Sequence, residues 1–186
     1  MNSLTGLPQY IGKIHPNCDY HHGQIYPARG VKCYQVARAN RTHPEWDDGS
    51  GYTYKHAPDL VWFSGRFYIQ YLVNPEDEHT GAGFSILASS SDGEGWQDFK
   101  VSFPPYKIPA CEIHDYKGLT HKFDGASYAF MHQRMCFFKA SSGRQLLLGF
   151  YGWSPPPWMT NWDNYGIGRA VRELFPDGRM GDIYFI

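Results

Sequence analysis

The sequence predicts an all-β fold made of small antiparallel sheets, and three observations support this prediction. The 186 residues include 20 glycines and 13 prolines spread along the whole chain, which leaves few windows for a helix of about 11–12 residues. Aromatic residues make up 17% of the chain, and β-strands are rich in aromatic side chains. The apolar runs are short and are bounded by turn residues. These features exclude a helical bundle and a coiled coil.

The amino-terminal part of the chain is expected to be irregular. Residues 1–29 are polar and are interrupted by Gly and Pro, so we interpret them as an extended lead-in. The segment GVKCYQVARA is predicted to form a first strand at 30–39, and 41–51 is predicted to be a loop. Residues 30–52 would then form a partial blade of the fold described next.

A meander of four predicted strands follows this lead-in. Each strand is rich in Val, Ile, Phe and Tyr, and tight turns or an acidic loop separate them. The strands are predicted at 56–63, 66–73, 84–90 and 96–103. Four antiparallel strands in about 48 residues have the length of one blade of a β-propeller.

The pattern of this blade recurs over 127–186, with strands predicted at 127–141, 145–154, 167–174 and 182–186. A helical turn is the alternative for 167–174, but the flanking glycine and Pro-Asp-Gly favour a strand. Two blades and a partial one are fewer than the four to eight of a closed ring. We therefore expect one β-propeller region over 1–186 that is an incomplete part of a larger propeller. Its last strand would leave an edge open to self-association or to further blades.

Charge and hydropathy narrow the range of partners. The net charge is −1, so the protein lacks the cationic field that attracts nucleic acids and anionic membranes. Neither is therefore expected as a partner. No apolar run approaches the roughly 20 residues of a membrane span, and the amino end shows no secretory signal. The four cysteines show no Cys-x-x-Cys spacing, so a zinc site is not expected. Two disulfides and four free thiols are the alternatives.

The clearest local motif is the turn SSSDGEGW at 89–96. Its Ser and Asp side chains can bond to turn amides, Gly93 permits a positive φ, and Trp96 can pack the turn against its sheet. The run resembles the Asp-box of sialidase-like propellers, although Glu94 and Gly95 depart from the strict pattern. We interpret the motif as structural.

Histidine marks two strand starts that would lie near a propeller's central channel. His56 follows Tyr54 in YKHAP, and a histidine there is a candidate general base because its ordinary pKa lies near working pH. His132 and Arg134 occur in MHQR at a spacing that places both on one face of a strand, where the arginine could bind a carboxylate. In both places a structural role is the alternative.

Aromatic and acidic residues supply further candidates for binding. Tyr151 and Trp153 stand beside a Pro-rich loop, where exposed rings suit the apolar faces of sugars, and Arg169 could meet an acidic sugar. Packing between blades is the alternative for these residues. The loop 74–81 carries three acids, which suit a solvated surface, a calcium site or one carboxylate of a hydrolase pair. Apart from calcium, no cofactor is expected.

Over residues 30–186, the order of YKHAPDLVWFSGRFYIQYLV, SSSDGEGW, MHQR and FYGWS…GIGRAVRE…DG resembles the family 145 glycoside hydrolases and the related L-rhamnose–glucuronate lyases. The resemblance implies a propeller of about seven blades that is secreted or periplasmic. It also implies cleavage of a rhamnosyl-glucuronate linkage in a plant-type acidic glycan.

The same resemblance implies roles for the candidate residues. His56 would be the catalytic base or acid, with His132 and Arg134 as its partner and carboxylate binder. In a lyase, His56 or Tyr54 would remove the uronate C5 proton while Arg134 or Arg169 neutralises the carboxylate. In a hydrolase, a histidine or one of four acids would take part, the acids being Asp59, Glu76, Glu78 and Glu173. A non-catalytic glycan-binding or scaffold propeller is the alternative function.

Overall fold

A computed structural model describes residue 30 and residues 32–78, 81–114, 118–131, 135–154 and 166–186. The chain divides into two compact units, Met1–Tyr34 and Gln35–Ile186. Of the first unit only Gly30 and residues 32–34 are described, and all the described strands belong to the second unit. No helix within the described ranges is long and apolar enough to span a membrane.

The first sheet is a four-stranded antiparallel meander in the order β1-β2-β3-β4. Its strands are β1 (Tyr54–Phe63), β2 (Arg66–Asn74), β3 (Phe84–Ser90) and β4 (Gln97–Phe103). This arrangement confirms the predicted strands at 56–63, 66–73, 84–90 and 96–103. A bulge interrupts β1, because His56 pairs with Leu72 whereas Asp59 pairs with Gln70. One more residue therefore separates the two positions on β1 than on β2.

The second sheet begins with a short edge strand and is again antiparallel. Its strands are β5 (Tyr106–Lys107), β8 (Tyr128–Met131), β9 (Cys136–Lys139), β10 (Gln145–Ser154), β11 (Gly166–Leu174) and β12 (Tyr184–Phe185), and β6 (Cys111–His114) pairs with β7 (Thr120–Phe123) as a separate hairpin. β8 and β9 lie in line along the same edge of β10. The order along the sheet, β12-β11-β10-β8-β5, makes 167–174 a strand rather than a helical turn.

The structure corrects two expectations about the lead-in and the middle of the chain. No strand forms at residues 32–40, and the loop that follows contains a 3-10 turn, Pro44–Trp46. Val36 and Ala37 pack against the first sheet beside Tyr71 and Val73, so this segment covers a sheet face instead of pairing. Residues 104–126, which lacked a predicted element, supply β5 and the hairpin of β6 and β7.

The core lies between the two sheets and follows the alternation of side chains along β2. Tyr68 and Leu72 face the second sheet, whereas Tyr71 and Val73 face the other way. The buried residues between the sheets include Leu87, Phe103, Met131, Leu147, Tyr151, Ala170 and Leu174. Two small antiparallel sheets packed face to face in this way form part of a β-propeller, as the sequence predicted.

Three polar contacts join the sheets at the edge of this core. Arg172 Nη1 donates to Ser102 O at 2.6 Å, and Phe137 N donates to Asp59 Oδ2 at 2.6 Å. Met131 N donates to Gly83 O at 3.1 Å. Each bond joins one sheet or its adjoining loop to the other sheet, so the three bonds help to fix the relative position of the two blades.

Candidate functional site

Tyr54, His56 and Glu78 form a cluster where β1 starts and β2 ends. Tyr54 pairs with Asn74 and His56 with Leu72, so the acidic loop after β2 returns to the start of β1. The Tyr54 and His56 rings lie 5.5 Å apart at an angle of 30°, as expected for neighbours two residues apart on one strand face. His56 Nε2 lies 3.7 Å from Glu78 Oε1, and Tyr54 is hydrogen-bonded to the Glu78 carboxylate.

Asn74 holds the backbone of Glu78 in place. Its side-chain Nδ2 donates to the Glu78 carbonyl oxygen at 3.3 Å, and the residue is 3% exposed. Gly83 leaves the space that Asn74 occupies, because a Cβ on Gly83 would lie 2.1 Å from Asn74 Oδ1. The sequence gives no signal for this anchor, because it depends on where residues 75–78 and Gly83 lie relative to Asn74 at the end of β2.

The pKa of the Tyr54 hydroxyl is raised above its ordinary value. Burial raises this pKa above its ordinary value, and the charge and hydrogen bond of Glu78 raise it further, with a contribution from Asp77. A phenol with a raised pKa remains protonated at neutral pH. Of the two residues that the sequence analysis considered as a base, His56 is therefore the better suited.

The cluster is open to solvent and adjoins a cavity. The His56 side chain is 44% exposed and that of Glu78 is 32% exposed, so a ligand can reach both. A shallow cavity of 210 Å³ borders Lys55 and His56, and its walls are mostly apolar. The apolar part is formed by Val36, Ala37, Pro58 and Ile69, with Tyr71 beside them.

A buried ion network lies behind the cluster and holds the residue between Tyr54 and His56. Lys55 Nζ contacts Asp48 Oδ2 and lies 2.9 Å from Asp47 Oδ2, and both aspartate side chains are fully buried. The Asp47 contact is an ion pair without hydrogen-bond alignment, because neither Asp47 oxygen has a hydrogen-bond partner in the described structure. Tyr71 donates its hydroxyl to Asp48 Oδ2 at 2.9 Å.

The protonation states of this network follow from its contacts. Burial favours the neutral form of Asp48, but hydrogen bonds from Lys55 and Ser50 outweigh it and lower the pKa of that carboxyl. Burial raises the pKa of Tyr71, and the Asp48 charge raises it further, so the phenol donates to the ionised carboxylate. This network could not be predicted from the sequence, because only the register of β1 and β2 brings Lys55 onto Tyr71's side of the sheet.

The other predicted site residues are not joined to the cluster by any described contact. His132 and Arg134 lie outside the described residues. Trp153 packs edge-on against Phe123 at 4.9 Å. Arg169 is exposed on the second sheet. Burial and the Asp59 carboxylate raise the pKa of the Cys136 thiol by more than the positive charge of Arg169 lowers it.

Tyr151 corrects the expectation of an exposed sugar-stacking ring. It is 1% exposed, and its hydroxyl donates to Pro104 O at 2.6 Å. The physical reason is the alternation along β10, which places Leu147 and Tyr151 on the face that packs against the first sheet. In this chain Tyr151 therefore stabilises the packing of the two sheets.

The Asp92 turn is held together by its own hydrogen bonds. Asp92 Oδ1 accepts bonds from the amides of Glu94 and Gly95 at 2.8 and 3.0 Å. Ser90 Oγ donates to the same oxygen, and Trp96 Nε1 donates to Gly93 O at 3.2 Å. The backbone amides lower the pKa of Asp92. These bonds fit the structural role that the sequence analysis gave this turn.

No set of three His, Cys, Asp or Glu side chains suited to a metal ion occurs within the described ranges, and calcium binding stays a prediction. Cys33, Cys111 and Cys136 are free thiols. The acidic loop places Glu78 beside His56, and a carboxylate of a hydrolase pair was one of the three roles expected for this loop.

Comparison with known proteins identifies the family of residues 7–186. The family model of the BT_1020-like N-terminal β-propeller matches residues 7–186. A solved structure named as a sialidase is 42% identical over 95% of this chain with a TM-score of 0.70, and the chain spans 16% of its length. An endo-1,4-β-xylanase from Bacteroides thetaiotaomicron VPI-5482 is 12% identical over 70% of this chain and 38% of its own length, and its TM-score of 0.37 is too low to support an argument. No curated protein matches the sequence.

Proposed function

The chain belongs to the family of BT_1020-like N-terminal β-propellers, and we propose on that premise that it contributes an acid–base site to an enzyme that cleaves glycans. The observation that carries the proposal is the contact of Glu78 with both Tyr54 and His56. A carboxylate that orients an imidazole next to a protonated phenol supplies a base and an acid in one place. Similarity to a protein named as a sialidase supports a carbohydrate as the substrate.

We propose a rhamnosyl-glucuronate linkage as the substrate, with the uncharged rhamnose at the cluster. Asp77 and Glu78 lie on the loop beside His56, and their negative charge repels a uronate carboxylate. Rhamnose carries no charge and is free of that repulsion. The carboxylate of the glucuronate then requires an arginine, for which Arg169 and Arg134 are the candidates.

Two reactions are candidates, and they differ in the fate of one proton. Elimination needs an arginine to hold the glucuronate carboxylate near the cluster against the repulsion, because the C5 proton lies beside that carboxylate, whereas hydrolysis does not. In elimination, His56 takes the C5 proton of the glucuronate, the C4–oxygen bond breaks, and the departing rhamnose oxygen receives a proton from Tyr54. In hydrolysis, the same oxygen is protonated and its bond to the anomeric carbon of the rhamnose breaks, while water that gives a proton to His56 or Glu78 adds at that carbon. Elimination leaves an unsaturated uronate with new ultraviolet absorbance, and hydrolysis does not.

The experiment compares variants of the full-length protein on a glycan with terminal rhamnosyl-glucuronate. Rhamnose release and ultraviolet absorbance are followed for Glu78→Gln, Tyr54→Phe and His56→Gln. General acid–base catalysis contributes about 10²–10⁴-fold, so each variant is expected to lose kcat by an amount in that range. Glu76→Gln is the matched control, because Glu76 is on the same loop, its side chain is 68% exposed, and it lies 3.6 Å from Arg41 instead of His56.

Wild-type turnover that survives in His56→Gln and Glu78→Gln at the level of Glu76→Gln contradicts the acid–base role. A non-catalytic glycan-binding propeller is the second candidate, and the apolar walls of the cavity beside Lys55 and His56 favour it. That function predicts glycan affinity without release of product, and affinity that persists in Glu78→Gln.

A further inference from the structure

A second cavity opens between the two sheets at the end of β2 opposite the cluster. It has a volume of 250 Å³ and lies between β2, β3 and β4 of the first sheet and the turn at 176–178 of the second. Tyr68, in its wall, precedes Leu72 by four residues, which is about 13 Å along the strand. Because Leu72 is the pairing partner of His56, this cavity is separate from the acid–base cluster.

The hydroxyl of Tyr68 is available for a ligand in this cavity. Tyr68 is 3% exposed, and its hydroxyl makes no hydrogen bond within the described part of the chain. Gly178 leaves the space in front of it, since a Cβ there would lie 3.4 Å from Tyr68 Oη. Burial raises the pKa of Tyr68, more than the nearby Arg66 lowers it, so the phenol is a donor. The hydroxyl is not one of the fully buried side-chain atoms that lack a partner, and Tyr68 lines the cavity, so a ligand oxygen there can accept its hydrogen bond.

Charged groups around the cavity balance one another. Arg66 Nη2 donates to Ser89 Oγ at 2.9 Å, and Ser89 Oγ donates to Asp98 Oδ2 at 3.0 Å. Asp177 is bonded to Arg179 at 2.6 Å. Lys100, also in the wall, has no partner among the described residues. Two cations and two carboxylates in the lining therefore offer both donors and acceptors without a net charge.

We propose that this cavity is a carbohydrate-binding subsite that takes one neutral sugar ring. The ring hydroxyls would accept bonds from Tyr68 and Lys100 and donate to Asp98 and Asp177, while Leu87 meets an apolar edge of the ring. The volume equals that of about eight water molecules, which suits one ring and not an extended chain. The balanced charge gives no advantage to a uronate. The subsite does not depend on catalysis at His56.

Ligand-observed NMR on the full-length protein tests this subsite with L-rhamnose, D-galactose and D-glucuronate as probes. At least one neutral sugar is expected to bind, and Tyr68→Phe is expected to weaken it about 3–10-fold, which is the usual worth of one hydrogen bond. Lys100→Gln is expected to weaken the same sugar by a smaller factor. Tyr184→Phe is the matched control, since Tyr184 is 61% exposed on the second sheet and its variant should bind as the wild type does.

The proposal is overturned if neither neutral sugar binds, if only glucuronate binds, or if Tyr68→Phe binds as tightly as Tyr184→Phe. The lost hydroxyl has no partner within the described residues, so the thermal midpoint of Tyr68→Phe should equal that of the wild type. Measurement of this midpoint distinguishes a loss of binding from a loss of folding. Failure of catalysis in the full-length protein leaves this binding result unaffected, so the two proposals fail independently.

Discussion

Replacement of Lys55 by methionine should destabilise the domain more than any surface lysine substitution. The ammonium is 17% exposed and contacts two carboxylates whose side chains are fully buried. Lys55→Met keeps most of the aliphatic volume but leaves both carboxylates without their cation. Removal of one partner from a buried ion pair costs about 3–5 kcal/mol. For a domain of this size, about 2–4 °C per kcal/mol converts that loss into a drop of about 6–20 °C in the unfolding midpoint.

Circular dichroism melts of single and double variants measure this loss. Lys122→Met is the matched control, because Lys122 lies 2.8 Å from Glu112 but is 76% exposed, and such surface pairs contribute about 0–1 kcal/mol. The double variant Lys55→Met with Asp48→Asn should recover part of the stability, since one buried charge is removed with its partner. A Lys55→Met midpoint within about 2 °C of Lys122→Met, or strictly additive effects in the double variant, would refute the ion-network role of Lys55.

Two further predictions concern the same end of the first sheet. Gly83→Ala should destabilise the fold by about 1–3 kcal/mol through overpacking, because its Cβ would meet Asn74 Oδ1 at 2.1 Å and Met131 O at 2.8 Å. Displacement of Asn74, which holds Glu78, should also reduce activity. Gly95→Ala, whose Cβ would have no atom within 4 Å, is the control, and equal melting midpoints for the two variants would contradict this prediction. Ionised Asp48 should stabilise the fold above its unfolded pKa of about 3.9, and this contribution should disappear as pH falls through its lower folded-state pKa. Asp48→Asn should therefore flatten the loss of stability below about pH 4 in melts, and an unchanged acid limb would count against the network.

Alternation and turn chemistry were enough to predict the regular strands. β2 and β3 are apolar runs bounded by Gly and Ser turns, and they fold where the sequence placed them. β5, β6 and β7 have two to four residues each, which is too short for a period to be read. The predicted strand at 30–39 failed because Val36 and Ala37 cover a sheet face, a use that local sequence does not distinguish from pairing.

The site was predictable only in part, and the reason is register. Tyr54 and His56 could be chosen from their residue types at a strand start. Their contact with Glu78 was not predicted, since the acidic loop was expected only as a solvated surface, a calcium site or one carboxylate of a hydrolase pair. Lys55 and its two aspartates required the pairing of β1 with β2, and Tyr151 required the side of β10 that faces the core. The sequence indicates that side chains alternate along a strand, but it does not indicate the register of that strand with its neighbour.

The bulge in β1 has a consequence for insertions and deletions in this family. His56 and Asp59 are three residues apart, so in an unbroken strand they would project to opposite sides. Because their partners Leu72 and Gln70 are two apart, the bulge keeps both on one side, where Asp59 accepts the amide of Phe137. In a homologue that lacks either Ala57 or Pro58, the two positions on β1 would be two residues apart, like their partners on β2. Both side chains would then stay on the same side of a strand without a bulge. A homologue that gains one residue there, without a wider bulge to absorb it, would turn the imidazole away from its carboxylate while the sheets themselves persist.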